Sequence, residues 1–120
     1  GDRRQMLKEL KPSTNAQGVI KLQELASQIH ISKSLSQYVL NLLTASREAP
    51  WLDTGLSPRA GLALISAARA WALLSGRDAA IPEDIQAVAG AVVGHRLVHN
   101  SSGDLRADVT NKLIESVQVD

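Results

Sequence analysis

Apolar residues recur along most of this chain with the period of a helix. From Val19 onward, Leu22, Leu25, Ala26 and Ile29 fall at spacings of three, one and three, which lines them on one helical face. Gly18 is a soft spot in that first helix. Ser32 offers an acceptor to an orphan backbone N–H, and Leu35, Tyr38, Val39, Leu42, Leu43 and Ser46 trace a second stripe behind it. This helix runs out at Arg47-Glu48-Ala49-Pro50, because a proline disfavours the helical region for the residue before it. Trp51 to Leu56 is then expected as a loop.

Ser57-Pro58 reads as a helix start: Ser supplies the cap, and the missing N–H of proline is harmless at the first helical position. The third helix should run to about Leu74. Between Ala60 and Leu74 only Ser66 and Arg69 are polar, so this helix is expected at the centre of the molecule with others around it. Gly76 suits a left-handed cap, and Ala79 to Ile81 leaves room for two or three extended residues. Pro82-Glu83-Asp84 opens a fourth helix with acids at the favourable dipole end. Its expected face is Ile85, Val88, Ala89 and Val92, closed by Arg96. After an expected turn at Asn100–Gly103, Val109, Leu113, Ile114 and Val117 mark a short last helix. Residues 1–14 mix charge with Pro12 and sustain no period, with a helical piece only around Met6–Leu10. The pattern is that of an all-α bundle of four to five helices with at most one very short extended pair.

At 120 residues the chain has room for one packed domain. Its 44% hydrophobic content is carried largely by Leu and Ala, with no Phe, which favours helices over sheets. Thirteen basic side chains face twelve acidic ones, so bulk charge gives no support to a nucleic-acid or acidic-membrane surface. Cysteine is absent, which removes disulfides, thiol nucleophiles and Cys-ligated metals and suits a reducing cytosol. The apolar stretch Ala60–Ala68, broken only by Ser66, is far short of the roughly 20 residues that cross a bilayer. The opening residues lack the apolar stretch of a signal peptide, and a start at Gly1 without Met is expected of a piece of a longer chain.

Enzymatic signatures are missing. No Gly is followed by Lys, no Gly-x-Gly-x-x-Gly occurs, and no strand ends in paired acids, so the chain alone cannot assemble an ATP hydrolysis site. No Gly-x-Ser-x-Gly elbow is present for nucleophilic catalysis. His95 and His99 have the spacing of a two-histidine metal helix, but no glutamate base and no third ligand accompany them. A helix end whose His and Arg side chains meet terminal carbonyls is the better reading, and no metal site is expected. Arg59 is the informative residue. At the second position of the third helix, a cation works against the positive dipole end by roughly 0.3–1 kcal/mol. An arginine there calls for an anion, either a phosphate held by helix N–H groups and guanidinium together or a side-chain carboxylate such as Asp53.

The run Gly55-Leu56-Ser57-Pro58-Arg59-Ala60, followed by Leu62, Leu64, Ala67, Ala68, Arg69 and Ala70, resembles the lid domain of MoxR-type AAA+ ATPases. Ser75-Gly76-Arg77-Asp78, Pro82-Glu83-Asp84-Ile85 and His95-Arg96-Leu97 look like successive landmarks of that lid. Gln23, Ile29-His30-Ile31-Ser32, Tyr38 and Thr44-Ala45-Ser46-Arg47 resemble its two preceding helices. The likeness covers Val19 to Val117. It implies a lead-in over residues 1–18 from a preceding ATPase core, and a helical AAA+ lid over 19–120.

The resemblance makes Arg59 the sensor 2 arginine, reaching ATP phosphates, with Ser57 and Pro58 shaping the helix start. It implies ATP and Mg in the full-length protein, with phosphate loop, acid pair, sensor 1 and arginine finger in the core of the same chain. It further implies a homo-oligomeric ring, a hexamer in the family, with chaperone-like work and partners that often carry a von Willebrand A domain. Nucleic acid and membrane insertion are not implied, and the location is cytoplasmic. Ile81 departs from the family, which usually has a capping Thr or Ser there, so this helix start relies on Glu83 and Asp84. The resemblance leaves the roles of Arg69, His95 and Arg96 open. Two other readings of the residues remain: a DNA-binding bundle, which lacks a polar reading helix, and a free-standing adaptor with an exposed apolar groove. Neither explains the Ser-Pro-Arg start.

Overall fold

The structure, a computed structural model, describes residues 16–99 and 106–119. Within them the order is α1 (Ala16–Ala26), β1 (His30–Ile31), α2 (Lys33–Glu48), α3 (Pro58–Leu74), β2 (Ala79–Ala80), α4 (Pro82–His99) and α5 (Arg106–Glu115). The all-α reading holds. The helical piece expected near Met6–Leu10 and the turn expected at Asn100–Gly103 lie outside the described residues. α1 starts at Ala16, ahead of the apolar spacing that begins at Val19, and Gly18 is buried within it.

Caps read from sequence form as expected. Ser32 Oγ accepts the Leu35 N–H at 3.1 Å and starts α2, whose buried residues are Leu35, Tyr38, Val39, Leu42, Leu43 and Ser46. Tyr38 is tied to α4, its hydroxyl accepting from Gln86 Nε2 at 3.2 Å. α3 ends in a paired return. The Gly76 N–H reaches the Leu73 carbonyl and the Arg77 N–H reaches that of Ala72, while Gly76 takes φ 81°. That left-handed step is open to glycine at no steric cost. The two strands pair in parallel, His30 with Ala79 and Ile31 with Ala80, so the exit of α1 is tied to the entry of α4.

α3 packs against α1, α2, α4 and β2 and is the central helix. A Cβ at Gly61 would stand 3.0 Å from Leu43 Cδ1, so a glycine here lets α2 and α3 approach closely. The expectation that other helices surround α3 on nearly all sides is corrected. Leu62, Trp71 and Leu74 are exposed, because the described elements wrap only part of its circumference. The expected face of α4 holds at the buried Ile85, Val88 and Ala89 and at Val92, half-buried against the core, and is corrected at its far end, where it runs on through the buried Val93 and Leu97 while Arg96 is exposed. Val92 and Val93 offered two continuations of one stripe, and the longer step from Ala89 to Val93 and Leu97 is the one the neighbouring helices cover.

Candidate functional site

Ser57, Pro58 and Arg59 come together at the start of α3. Ser57 Oγ accepts the Ala60 N–H at 3.2 Å and the Ser57 carbonyl accepts the Gly61 N–H at 3.2 Å. Pro58 has no N–H to offer. The Arg59 N–H is thus the donor left over among the first-turn groups, and it sits on the residue that carries the guanidinium. All three side chains are exposed, and α3 has no acidic residue in its first turn to offset the dipole. Among the described residues Arg59 makes no hydrogen bond or ion pair, so the alternative of an Arg59–Asp53 pair does not form.

The helix start is strapped in place from behind. Ser46, fully buried on α2, donates its hydroxyl to the Leu43 carbonyl at 2.7 Å and accepts the Leu56 N–H at 2.8 Å. Gly55 lies against the same helix end, where an added Cβ would fall 2.5 Å from Arg47 Cγ and 2.8 Å from Arg47 Cα. Only a residue without a side chain fits so close to backbone. Leu52 and Leu56 are buried, and Lys112 of α5 stands 4.7 Å above the half-buried Trp51 ring. The segment before Ser57 is thereby held at several points. Sequence reasoning placed Ser46 on an apolar stripe and Gly55 in a motif, and missed that together they fix where Arg59 stands; a serine at a core position was the available signal.

The other end of α3 is also fastened, by charge. Asp84, 1% exposed, takes a forked contact from both terminal nitrogens of Arg77, with Arg77 Nη1 2.7 Å from Oδ2. Its Oδ2 also accepts the Ile81 N–H at 2.8 Å, while the Asp84 N–H returns to the Ile81 carbonyl at 2.8 Å. This is one half of a capping box: the carboxylate takes the Ile81 N–H, while the Asp84 N–H that a Ser or Thr at 81 would cap turns to the Ile81 carbonyl, so of the two acids the helix start relies on Asp84. Burial pushes the Asp84 carboxyl up, but the Arg77 bonds, the Ile81 N–H and the Arg77 charge outweigh it and hold the carboxyl below its ordinary value. Arg77 is raised in turn, chiefly by its bonds to Asp84.

Arg69 is half-buried beside α1, and His95 and Arg96 are exposed on α4. The His99 side chain lies outside what the structure describes. Among the described residues no group of three His, Asp or Glu side chains could hold a metal ion, and no helix is long and apolar enough to cross a membrane.

The AAA lid domain family matches residues 44–115, more than half of the chain. This chain is an AAA lid domain. Its match runs from the end of α2 to the end of α5 and so contains the strap, the Ser57–Arg59 start and the Arg77–Asp84 lock. The lid is 38% identical over 89 residues to Chaperone MoxR1 of Mycobacterium tuberculosis, covering 67% of this chain and 24% of that protein. It is 34% identical over 92 residues to the uncharacterised protein YeaC of Bacillus subtilis, covering 77% and 29%. It is 37% identical over 84 residues to protein MoxR of Paracoccus denitrificans, covering 59% and 25%. A crystal structure from Cytophaga hutchinsonii, whose description proposes an ATPase, superimposes with a TM-score of 0.73 at 25% identity, over 87% of the lid and 36% of that chain. The likeness to the MoxR-type lid is therefore real, and the lid spans about a quarter of the length of the curated relatives it matches.

Proposed function

We propose that this lid closes over ATP held by an ATPase core in the same polypeptide, with Arg59 as the sensor 2 residue on the nucleotide phosphates. The observation that carries the reading is an exposed arginine at the second position of α3, without an ion pair among the described residues, beside an uncapped N–H and an uncompensated dipole end. Phosphate oxygens satisfy all three at once. ATP with its Mg would be held by the core's own residues, and the lid would contribute the guanidinium. A contact made only when the γ-phosphate is present favours one lid angle over another, so nucleotide state becomes lid position and passes to neighbouring subunits of a ring, a hexamer by family resemblance. A cytoplasmic setting, chaperone-like work and a von Willebrand A domain partner belong to the same reading. The lid by itself is expected to hydrolyse no ATP.

The test is Arg59→Ala in the complete protein. Loss of a charge-assisted bond to phosphate is expected to lower ATP affinity or turnover about tenfold or more, with Arg59→Lys intermediate. Thermal unfolding of the lid should be nearly unchanged, since the side chain is exposed. Wild-type affinity and turnover in the alanine variant would overturn the assignment.

A further inference from the structure

The face of α3 that carries Arg59 runs on into a groove. At about 100° per residue, Ala63, Ser66 and Ala70 lie within about 40° of Arg59 around the helix axis. These three residues form one wall of an open groove of about 600 Å³, and Leu22 and Ala26 of α1 stand on the other. Arg69 is the only charged side chain among the described lining residues. Its Nε is buried and has no hydrogen-bond partner among the described residues. A guanidinium N–H taken out of water without an acceptor keeps its desolvation cost and gains nothing in return. Arg77, with both terminal nitrogens on Asp84, shows the opposite arrangement within the same fold.

The missing acceptor is best met by a carboxylate. A guanidinium offers a carboxylate its Nε and one Nη side by side, which here requires the Arg69 side chain to turn its shielded Nε toward the groove, and the Ser66 hydroxyl lies within one helical turn as a further donor. Alanine walls admit a close-packed segment, and a single cation is too little charge for a nucleic-acid backbone. About three-quarters of the length of the relatives lies outside this chain. Arg59, on the same face, is read above as pointing toward the ATP-binding part. We propose that the groove between α1 and α3 receives an Asp- or Glu-bearing segment of the ATPase core of the same polypeptide, with Arg69 pairing to its carboxylate. This rests on the reading of Arg59 as facing that core.

The experiment places a photoreactive phenylalanine analogue at Ala63 in the full-length protein, assembled from a mixture of isotope-labelled and unlabelled subunits. Cross-linked peptides are then identified by mass spectrometry. The expected product joins isotope-matched peptides, the second one carrying Asp or Glu and lying outside the 120 residues of the lid. Its yield should fall about tenfold with Arg69→Gln and be intermediate with Arg69→Lys, which keeps the charge but not the fork. Isotope-mixed products, products within the lid, products with another protein, no product, or a yield indifferent to Arg69 would each overturn the proposal. Arg59→Ala is assayed for ATP affinity in the same preparations. A persistent cross-link with unchanged affinity would sink the nucleotide reading and leave the docking intact, and the reverse result would do the opposite.

Discussion

Two arginines flank α3, and they are treated in opposite ways. Arg59, at the helix start, is exposed and makes no ion pair among the described residues; Arg77, just past the helix end, is locked onto a buried carboxylate that also caps the next helix. A cation just beyond the C-terminal end sits where the dipole welcomes it, and one at the N-terminal end sits where it does not. The contrast separates an arginine whose partner is part of the fold from one whose partner must arrive from elsewhere. The side chain is the same in both cases; its place relative to the dipole hints at the difference, and the three-dimensional accounting of acceptors establishes it.

The largest effect should come from breaking the satisfied side. Asp84→Ala leaves Arg77 and the Ile81 N–H without their acceptor and is expected to cost about 3 kcal/mol, at the low end for a buried pair because Arg77 is partly open to solvent. Denaturant unfolding of the 120-residue chain measures it. The same pair gives a pH signature. Because the folded carboxyl is held below its ordinary value of 3.8, its contribution is fully present above that value and fades as pH falls through the lower folded one. The stability gap between wild type and Asp84→Asn should therefore narrow in acid below that range and stay constant from pH 5 to 7.

Next in size is Gly55→Ala. The new methyl would overlap the Arg47 backbone and displace the strap, for about 2 kcal/mol of stability. If the strap sets the place of Arg59, ATP affinity of the complete protein should fall with it. Ser46→Ala, which leaves the buried Leu56 N–H unpaired, should cost about 1–2 kcal/mol with a smaller loss of the same kind. The smallest stability effect is that of Arg59→Ala, within about 0.5 kcal/mol of wild type. A stability loss there as large as that of Asp84→Ala would erase the distinction between the two arginines.

Much of the fold was legible in the sequence, for reasons that are local. Ser32, Ser57 and Gly76 each satisfy backbone groups within a few residues, so their roles follow from spacing alone. Only the far end of the α4 face was misread, because Ala, Val and Gly surround that helix on most sides and a stripe through Val92 and Arg96 competes evenly with one through Val93 and Leu97. The Ser46–Leu56 bond spans ten residues and a loop, and the Arg77–Asp84 fork crosses a turn and a strand, so neither has a periodic signature. Arg59 could be picked out because its place conflicts with the local dipole. That Arg69 has a buried nitrogen without an acceptor could not be seen until α1 was laid beside α3.

Fastening α3 at both ends has a mechanical consequence. Its 17 residues make a rod roughly 25 Å long at about 1.5 Å rise per residue. The Ser46 strap clamps one end and the Arg77–Asp84 lock welds the other to α4 and the strand pair, so neither end can swing independently. A tilt of only about 10° pivoting at Arg59 sweeps the far end through about 4 Å, the scale of a one-turn helical shift. A domain so fastened would turn as one lever, with its fulcrum at the arginine and its travel at Ser75.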